Sequence, residues 1–536
     1  LAVAALLFLP WLGARDLWNP NEPIYGQAVR EMASAADWLV PTVRGQVFAE
    51  KPILYYWIAL AASSVTGAVD ETSLRLPSVL AALLLVAMTW ALVRPYAGTR
   101  RATLASLLLS STYMVWWGAR TAQMDVLVAA TTVGALFPLS RTVDFGLSPW
   151  KGWALTGVAC GLGVLAKGPI AIVCPGIAFA AYLATTGRLL GRRSALRPLP
   201  MLAGAAAFCA VLAPWLVALA SRGRLAMLEE MFLRQNLTRF VAAWDHRQPF
   251  WYYGVHVWAG MVPWSLLLPA AVALPERSDS ERRLDRLAWC WLLGVVLFLS
   301  LSQSKRNDYL LPVAAAVAVL ASAPLGRWLT GGLVRWRAVW VTGVHVFLAV
   351  GLLGAAYALA QVAPRKAPVL AGAGPLAGGL LLVGATILLV ALVLRRRRGA
   401  ALAVWGSVAA FYLVAAGSLL PTADAFKSAQ PFSRELSERV PASQPIASYR
   451  FWQWRAGYAF YTDRTFDSLQ SPDELRAWAS LPGPRWLLVE EWALPEARAV
   501  LGSPPVALSA SVGHAEIALL GPLRADSTAS FSRSAR

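Results

Sequence analysis

The feature that most constrains this chain is a recurring apolar run close to the roughly 20 residues that a helix needs to cross a bilayer. Such runs fall near 1–13, 75–95, 101–118, 121–140, 151–166, 169–187, 199–220, 252–273, 286–303, 309–326, 338–361, 373–394 and 399–420, and then stop. They predict about thirteen transmembrane helices. With 57% hydrophobic and only 14% charged residues, the composition excludes an ordinary soluble globular protein. The chain reads as a polytopic α-helical membrane protein. Its first run is short and opens on Leu1 without an initiator Met. The expectation is that the true N-terminus has been lost, with a cleaved signal peptide as the alternative.

Orientation follows from the arginines. Alternate loops carry Arg94, Arg100 and Arg101, then Arg141 and Lys151, then Arg188, Arg192, Arg193 and Arg197. The series continues with Arg277, Arg282, Arg283 and Arg286, then Arg327, Arg335 and Arg337, and ends with Arg395 to Arg398. The intervening short loops hold only Arg120, Lys167, Lys305, Arg306, Arg365 and Lys366. By the positive-inside rule the first set is cytoplasmic. The loops 14–74 and 221–251 then face outward, as does everything after 420. Most of the net charge of +19 sits where anionic membrane lipids would meet it. No nucleic-acid partner is needed to explain it. All four cysteines fall in predicted spans, so no disulfide framework or zinc motif is readable.

The organisation expected is a membrane domain over 1–420, a small extracytoplasmic α/β domain over 421–525 and a disordered tail over 526–536. In the second domain "SQPIASYRFWQWRAGYAFYTD" and "PRWLLVEEW" read as strands. Between them "SPDELRAWASL" reads as a helix opened by Ser471 and Pro472. The loop 14–74 is too long and too patterned for a passive connector. In it, "EPIYGQAVREMASAADWLVP" places Tyr25, Val29 and Met32 on one helical face. A second helix, "KPILYYWIALAASSVTG", would lie along the interface with Tyr55, Tyr56 and Trp57 at headgroup depth. Two such helices would frame a groove open to lipid and to water.

Ionisable groups at a membrane are costly to keep and are candidate functional groups. Five places stand out: Asn21 with Glu22, Glu50 with Lys51, Asp125, Lys167, and the stretch Arg234–Tyr253 continued by Lys305 and Asp308. Each also has a plainer reading. Asp125 could be a structural ion pair with Arg120, Lys167 could snorkel, and "EKP" could be helix-start punctuation. "RQNLTRF" and "DHRQPFWYYG" could be an amphipathic segment with an aromatic anchor. His246 and His256 read as structural rather than as metal ligands. Carboxylates and cations gathered on one membrane face suit a reaction whose leaving group is a lipid-held phosphate. Cations neutralise the departing charge, and a carboxylate takes the nucleophile's proton.

Several motifs occur together and in order: "LWNPNEPIYGQAVREM", "SLRLPSVLAAL", "ARTAQMDVLVA", "LAKGPIA", "RQNLTRF", "PFWYYGVHVWAGMVPWSLLLP" and "SQSKRNDYLLP". Over residues 1–420 the chain resembles the membrane glycosyltransferases that include the bacterial aminoarabinose transferases of lipid A modification, relatives of the protein O-mannosyltransferases. The resemblance implies a GT-C architecture in the bacterial inner membrane. It implies a polyprenyl-phosphate sugar as donor, and a lipid, glycan or protein as acceptor on the periplasmic side. Carried over by position, Glu22 matches the second acid of the family's first-loop pair. Glu50 and Lys51 match an acid and a donor-phosphate base, Asp125 an acid at the outer end of a span, and Lys167 the lysine of the "KGP" turn. Arg239, Tyr252, Tyr253, Lys305 and Tyr309 match further motif positions. On this basis Asp125, Glu22 and Asn21 are the catalytic candidates. Lys51, Lys167, Lys305 and Arg239 would hold phosphate, and Glu50, Tyr252, Tyr253 and Tyr309 would contact substrate. Some members bind a divalent metal near these acids, without ligands that this sequence fixes. The chain departs from the family at Asn21, where an Asp is usual: an amide orients a partner but takes no proton. It departs again at Arg306 and Asp308. A transporter or flippase for lipid-linked sugars, or a non-catalytic binder of them, is the alternative reading. Charged groups gathered at one face, without matching halves, favour the enzyme.

Overall fold

The structure, a computed structural model, describes residues 1–190, 196–238, 246–274, 278–451 and 455–523, excluding the side chains of residues 236, 237 and 366. The expected disordered tail and Arg239 lie outside the described residues. The chain forms two compact units.

The first unit comprises Leu1–Leu12, Ala49–Ala62 and Arg75–Leu419. Among the described residues eight helices are long and apolar enough to cross a membrane. Of the other expected crossings, 101–118 begins in the same bent helix as 75–95, 151–166 folds as the 19-residue Pro149–Lys167 and 169–187 as the 16-residue Ile170–Thr185, while 1–13 and 252–273 are short or broken at prolines. The first run is only α1 (Ala2–Phe8), with Pro10 just beyond it. The run at 252–273 is divided among Tyr252–Gly260, a 3₁₀ turn Trp264–Leu267 and Leu268–Ala271, with Pro263 and Pro269 at the joints. The helix from Glu71 to Ser110 changes direction at Gly98, whose φ of 74° and ψ of 172° a side chain would not tolerate.

In chain order the labels are α2 (Asn21–Ser34), α3 (Leu54–Thr66), α4 (Glu71–Ser110), α5 (Tyr113–Ala119), α6 (Asp125–Phe145), α7 (Pro149–Lys167), α8 (Ile170–Thr185) and α9 (Pro198–Ser221). They continue as α10 (Tyr252–Gly260), α11 (Asp279–Leu301) and α12 (Ala314–Thr330). At 13 residues α3 is too short to span, as expected of an interfacial helix. Its Tyr55 and Tyr56 correct one expectation, however. Both are fully buried, packed edge to face at 5.6 Å, and so help to fix α3 in the core rather than sit among headgroups. Close packing sets the frame behind the site. A Cβ on Gly157 of α7 would stand 2.0 Å from the Gly204 carbonyl of α9, the small-residue approach that membrane helices use in place of a hydrophobic driving force. At the far end of α6, the side chain of Asp144 is fully buried. It accepts hydrogen bonds from Tyr96 and Tyr182, each at 2.6 Å, and pairs with Arg188 at 2.9 Å.

The second unit contains Gly13–Phe48, Ser63–Leu74 and Leu420–Arg536. Residues 13–48 and 63–74, read from sequence as an outer loop of the membrane domain, therefore group with the α/β fold. The reason is in α2: Tyr25, Val29 and Met32 form the buried face expected of them, and helix Gly457–Thr462 is among the elements packed on α2. That second helix corrects another expectation, since "GYAFYT" reads as strand. Five strands make the sheet: β3 (Ile446–Tyr449), β4 (Asp467–Leu469), β5 (Arg485–Glu490), β6 (Val506–Val512) and β7 (Ala515–Leu523), ordered β4-β3-β5-β7-β6. The separate hairpin of β1 (Thr42–Val43) and β2 (Gln46–Val47) pairs antiparallel. Pairing is parallel through β4-β3-β5 and antiparallel from β5 to β7 and β6. Leu488, Ile517 and Leu519 enter one apolar cluster with Phe432 and Leu436. Their neighbours Leu487, Val489, Ala518 and Leu520 enter another with Leu475 and Trp478. The period of two thus buries both faces of β5, as a sheet covered on both sides requires. The helix Pro472–Ala479 starts as expected, with the Ser471 hydroxyl accepting from the Glu474 amide at 3.2 Å.

Candidate active site

Asp125 is the first residue of α6 and Lys167 the last of α7, so two antiparallel neighbours present opposite charges at the same end. Each sits where the helix dipole favours its sign. Gly163, one turn before Lys167, lets the helices close: a Cβ there would meet Ala171 of α8 at 2.5 Å and Thr131 of α6 at 2.6 Å. Gly168 then ends α7 at φ 100° and ψ −160°, a conformation open to glycine, and Pro169 leads into α8. This explains the "KGP" turn: it stops the helix with the lysine on its last turn.

Lys167 Nζ and Asp125 Oδ1 form an ion pair, both side chains largely buried. The plainer reading of Asp125 is thereby corrected. Its partner is Lys167 and not Arg120, which donates instead to the Phe8 and Trp11 carbonyls at 2.7 and 2.9 Å. Lys167 Nζ also lies 4.5 Å from the centre of the Tyr309 ring, a cation–π contact. Tyr309 comes from a 3₁₀ turn, Asn307–Val313, that precedes α12. Asp308 beside it is within electrostatic reach of Asp125 and Lys167 and pairs with Arg306 at 3.6 Å.

These groups open on a cavity of about 570 Å³ whose lining belongs to the first unit. Glu50, Lys51, Asp125, Lys167 and Tyr309 line it together. Five of the residues singled out from the sequence therefore converge. The rest of the wall is mostly apolar, with Ile170, Val173, Phe232, Leu233 and Phe298. Gln235, from the stretch Arg234–Tyr253, adds a polar group, and Ser302 and Ser304 add two that sequence reasoning did not single out. Phe232, Leu233 and Gln235 lie on a π-helical segment, Glu229–Thr238, whose wide turn no local motif announces.

The remaining candidates are placed differently. Lys305 is buried and does not line the cavity. Its ammonium donates to the Gln248 carbonyl at 3.0 Å and to that of Ser302, and burial pulls its pKa below the ordinary lysine range. With the Arg247–Ser304 bridge it clips two loops together. Tyr253 is fully buried and exchanges hydrogen bonds with the backbone of Arg306, while Tyr252 donates to Asn307 Oδ1 at 2.6 Å. Both brace the turn that carries Tyr309. His256 stacks on Tyr252 at 3.8 Å, and a His256 ring nitrogen meets its carbonyl. Asn21 and Glu22 belong to the second unit. Glu22 is buried there, paired with Arg15 at 2.7 Å and accepting from the Trp18 amide at 3.1 Å. Among the described residues no three His, Cys, Asp or Glu side chains are grouped to hold a metal ion. Asp125 and Asp308 already answer to a lysine and an arginine, which is not the donor set of a hard-cation cage.

Residues 50–217 match the family model described as dolichyl-phosphate-mannose-protein mannosyltransferase. The undecaprenyl phosphate-alpha-4-amino-4-deoxy-L-arabinose arabinosyl transferase 1 of Sodalis glossinidius is 32% identical over 334 residues, covering 59% of this chain and 56% of that protein. The corresponding transferase of Aeromonas salmonicida is 32% identical over 359 residues, 65% of this chain and 63% of that one. The alignments thus span somewhat over half the length of these curated relatives. ArnT from Cupriavidus metallidurans, solved with undecaprenyl phosphate bound, superposes with a TM-score of 0.75 at 20% identity, covering 98% of both chains. Its apo form gives 0.79, covering 98% of this chain and 97% of that one. The chain has the ArnT fold. It is an integral membrane protein, and its resemblance to the GT-C membrane glycosyltransferases holds in both sequence and fold. Within the ArnT fold, the cavity walled by Lys51, Asp125 and Lys167 is the candidate active site.

Proposed function

We propose that this protein transfers a sugar, most simply an aminopentose, from a polyprenyl-phosphate donor to a lipid, glycan or protein acceptor at the outer face of the inner membrane. One observation carries the reading: a single cavity joins two lysines and a carboxylate to a long apolar wall, in a fold shared with a protein solved with undecaprenyl phosphate. The apolar wall suits an isoprenoid tail, and Lys51 and Lys167 suit its phosphate. In the reaction the bond between the anomeric carbon and the phosphate oxygen breaks, its electron pair leaving with the phosphate. The acceptor's nucleophile attacks that carbon from the opposite side, inverting its configuration. Its proton goes to Asp125, whose carboxylate lines the same cavity. The Tyr309 ring holds the Lys167 ammonium from one side, so that its charge stays aimed at the cavity. Lys305, Tyr252 and Tyr253 act as positioning residues for the Tyr309 turn.

The test is to incubate the purified full-length protein with a radiolabelled polyprenyl-phosphate aminoarabinose and membrane extract. Label should move to a new acceptor. Label that stays on its carrier, or merely changes leaflet in vesicles, would overturn the transferase reading and leave the flippase one.

A further inference from the structure

A second cavity, about 690 Å³, is built from α4, α11, α12 and the start of helix Arg397–Val414. Four arginines line it, Arg100, Arg101, Arg327 and Arg398, against one carboxylate, Glu281. Arg101 is the anchored one. It is 8% exposed, with Nε donating to Ser322 Oγ at 3.2 Å and Nη2 to Asp285 and the Val319 carbonyl. Its Nη1 is buried without a hydrogen-bond acceptor; Glu281 forms an ion pair with it at 3.6 Å, beyond hydrogen-bond length. A buried guanidinium donor left open in this way is costly unless something else accepts from it. Asp285 is committed to Arg101, so the cavity as a whole keeps an excess of positive charge.

Position says what kind of anion fits. Glu281 and Ser302 are at opposite ends of α11, whose 23 residues span about 35 Å, close to the bilayer's hydrocarbon thickness. The candidate active site therefore uses one end of α11 and the arginine cavity the other. The rest of the lining includes Leu104, Leu107 and Leu329, which a small hydrated anion would not need.

We infer that this cavity is a binding site for the phosphate headgroup of an anionic lipid of the opposite leaflet, with Arg101 Nη1 as its buried donor and Arg100 and Arg398 closing over the phosphate. Basic pockets between helices on the cytoplasmic side are suited to such headgroups. The inference does not depend on the transferase reading.

The test uses the delipidated full-length protein in detergent, titrated with phosphatidylglycerol, with phosphatidylcholine of the same chains, and with inorganic phosphate. Native mass spectrometry and melting temperature are the readouts. Phosphatidylglycerol should bind saturably and raise the melting temperature. The exposed pair Arg100→Gln/Arg398→Gln should weaken that binding by roughly tenfold or more, whereas Arg100→Lys/Arg398→Lys should retain most of it. Unchanged binding by the glutamine pair, or equal binding of phosphatidylcholine, would overturn the site. Saturation by inorganic phosphate with no added effect of the lipid would overturn the lipid as its occupant.

Discussion

Asp125 and Lys167 lie 42 positions apart in the chain and share one ion pair, which makes their roles in stability and in catalysis separable. Asp125→Asn should abolish sugar transfer while the protein still elutes as a folded species. It should also lower the melting temperature, since it leaves the ammonium of a largely buried pair without its counter-charge, at a cost of about 3 kcal/mol. Adding Lys167→Met should restore much of that stability and none of the transfer. Turnover by Asp125→Asn would remove this carboxylate from the chemistry. Glu22 presents the opposite case. Its pairing with buried Arg15 predicts that Glu22→Gln acts on stability first, by about 3 kcal/mol, seen as early unfolding of the second unit. Asn21→Asp should leave folding intact or improve it by a few tenths of a kcal/mol, because an acid in the first turn of α2 meets the helix dipole favourably. If that position faces the reacting sugar, transfer should be preserved or raised in the same assay.

The elements that hold these residues depend on glycines at a few places. Gly168→Ala would force a side chain into the conformation that ends α7, and should reduce transfer at least tenfold while leaving the fold largely intact. Gly157→Leu is expected to do the reverse, prising α7 from α9 and lowering yield and melting temperature before it touches chemistry. In the second unit, Ser471→Ala removes a cap and should cost about 1 kcal/mol, readable in thermal unfolding. Local signals made the cap, the buried face of α2 and the "KGP" turn legible in the sequence, because each depends on residues within a few positions of one another. That Glu50, Lys51, Asp125 and Lys167 share one face was legible from the ionisable groups and the arginine bias, whereas Tyr309 was legible only through the resemblance. Lys305 shows the limit of that route. Its position matched a motif, but whether its ammonium faces the cavity or two backbone carbonyls depends on the fold of 246–248, which hydropathy does not encode. The π-helical wall and the helix at Gly457–Thr462 were missed for the same reason: tertiary packing overrode the local pattern.

For the whole molecule, the arginine bias predicts one orientation, with the proposed chemistry outside. In a variant lacking the native cysteines, Arg222→Cys should react with a membrane-impermeant maleimide in cells whose outer membrane alone is permeabilised. Gly332→Cys should react only after the inner membrane is opened as well. The opposite pattern would invert the topology and move the proposed chemistry to the cytoplasmic side. Eight long helices among the described residues stand against about thirteen apolar runs, because hydropathy registers apolar length and does not see that two runs share the bent helix Glu71–Ser110 or that Pro263 and Pro269 divide another. One consequence of the Asp125–Lys167 pair concerns the end of the cycle. A spent carrier held by its headgroup and by a greasy tail would be slow to dissociate, yet the pocket contains its own rival for the ammonium. In the proposed reaction, once Asp125 has passed on the proton it accepted, its carboxylate can reclaim Lys167 each time the headgroup loosens, so the pair would favour discharge of the spent carrier.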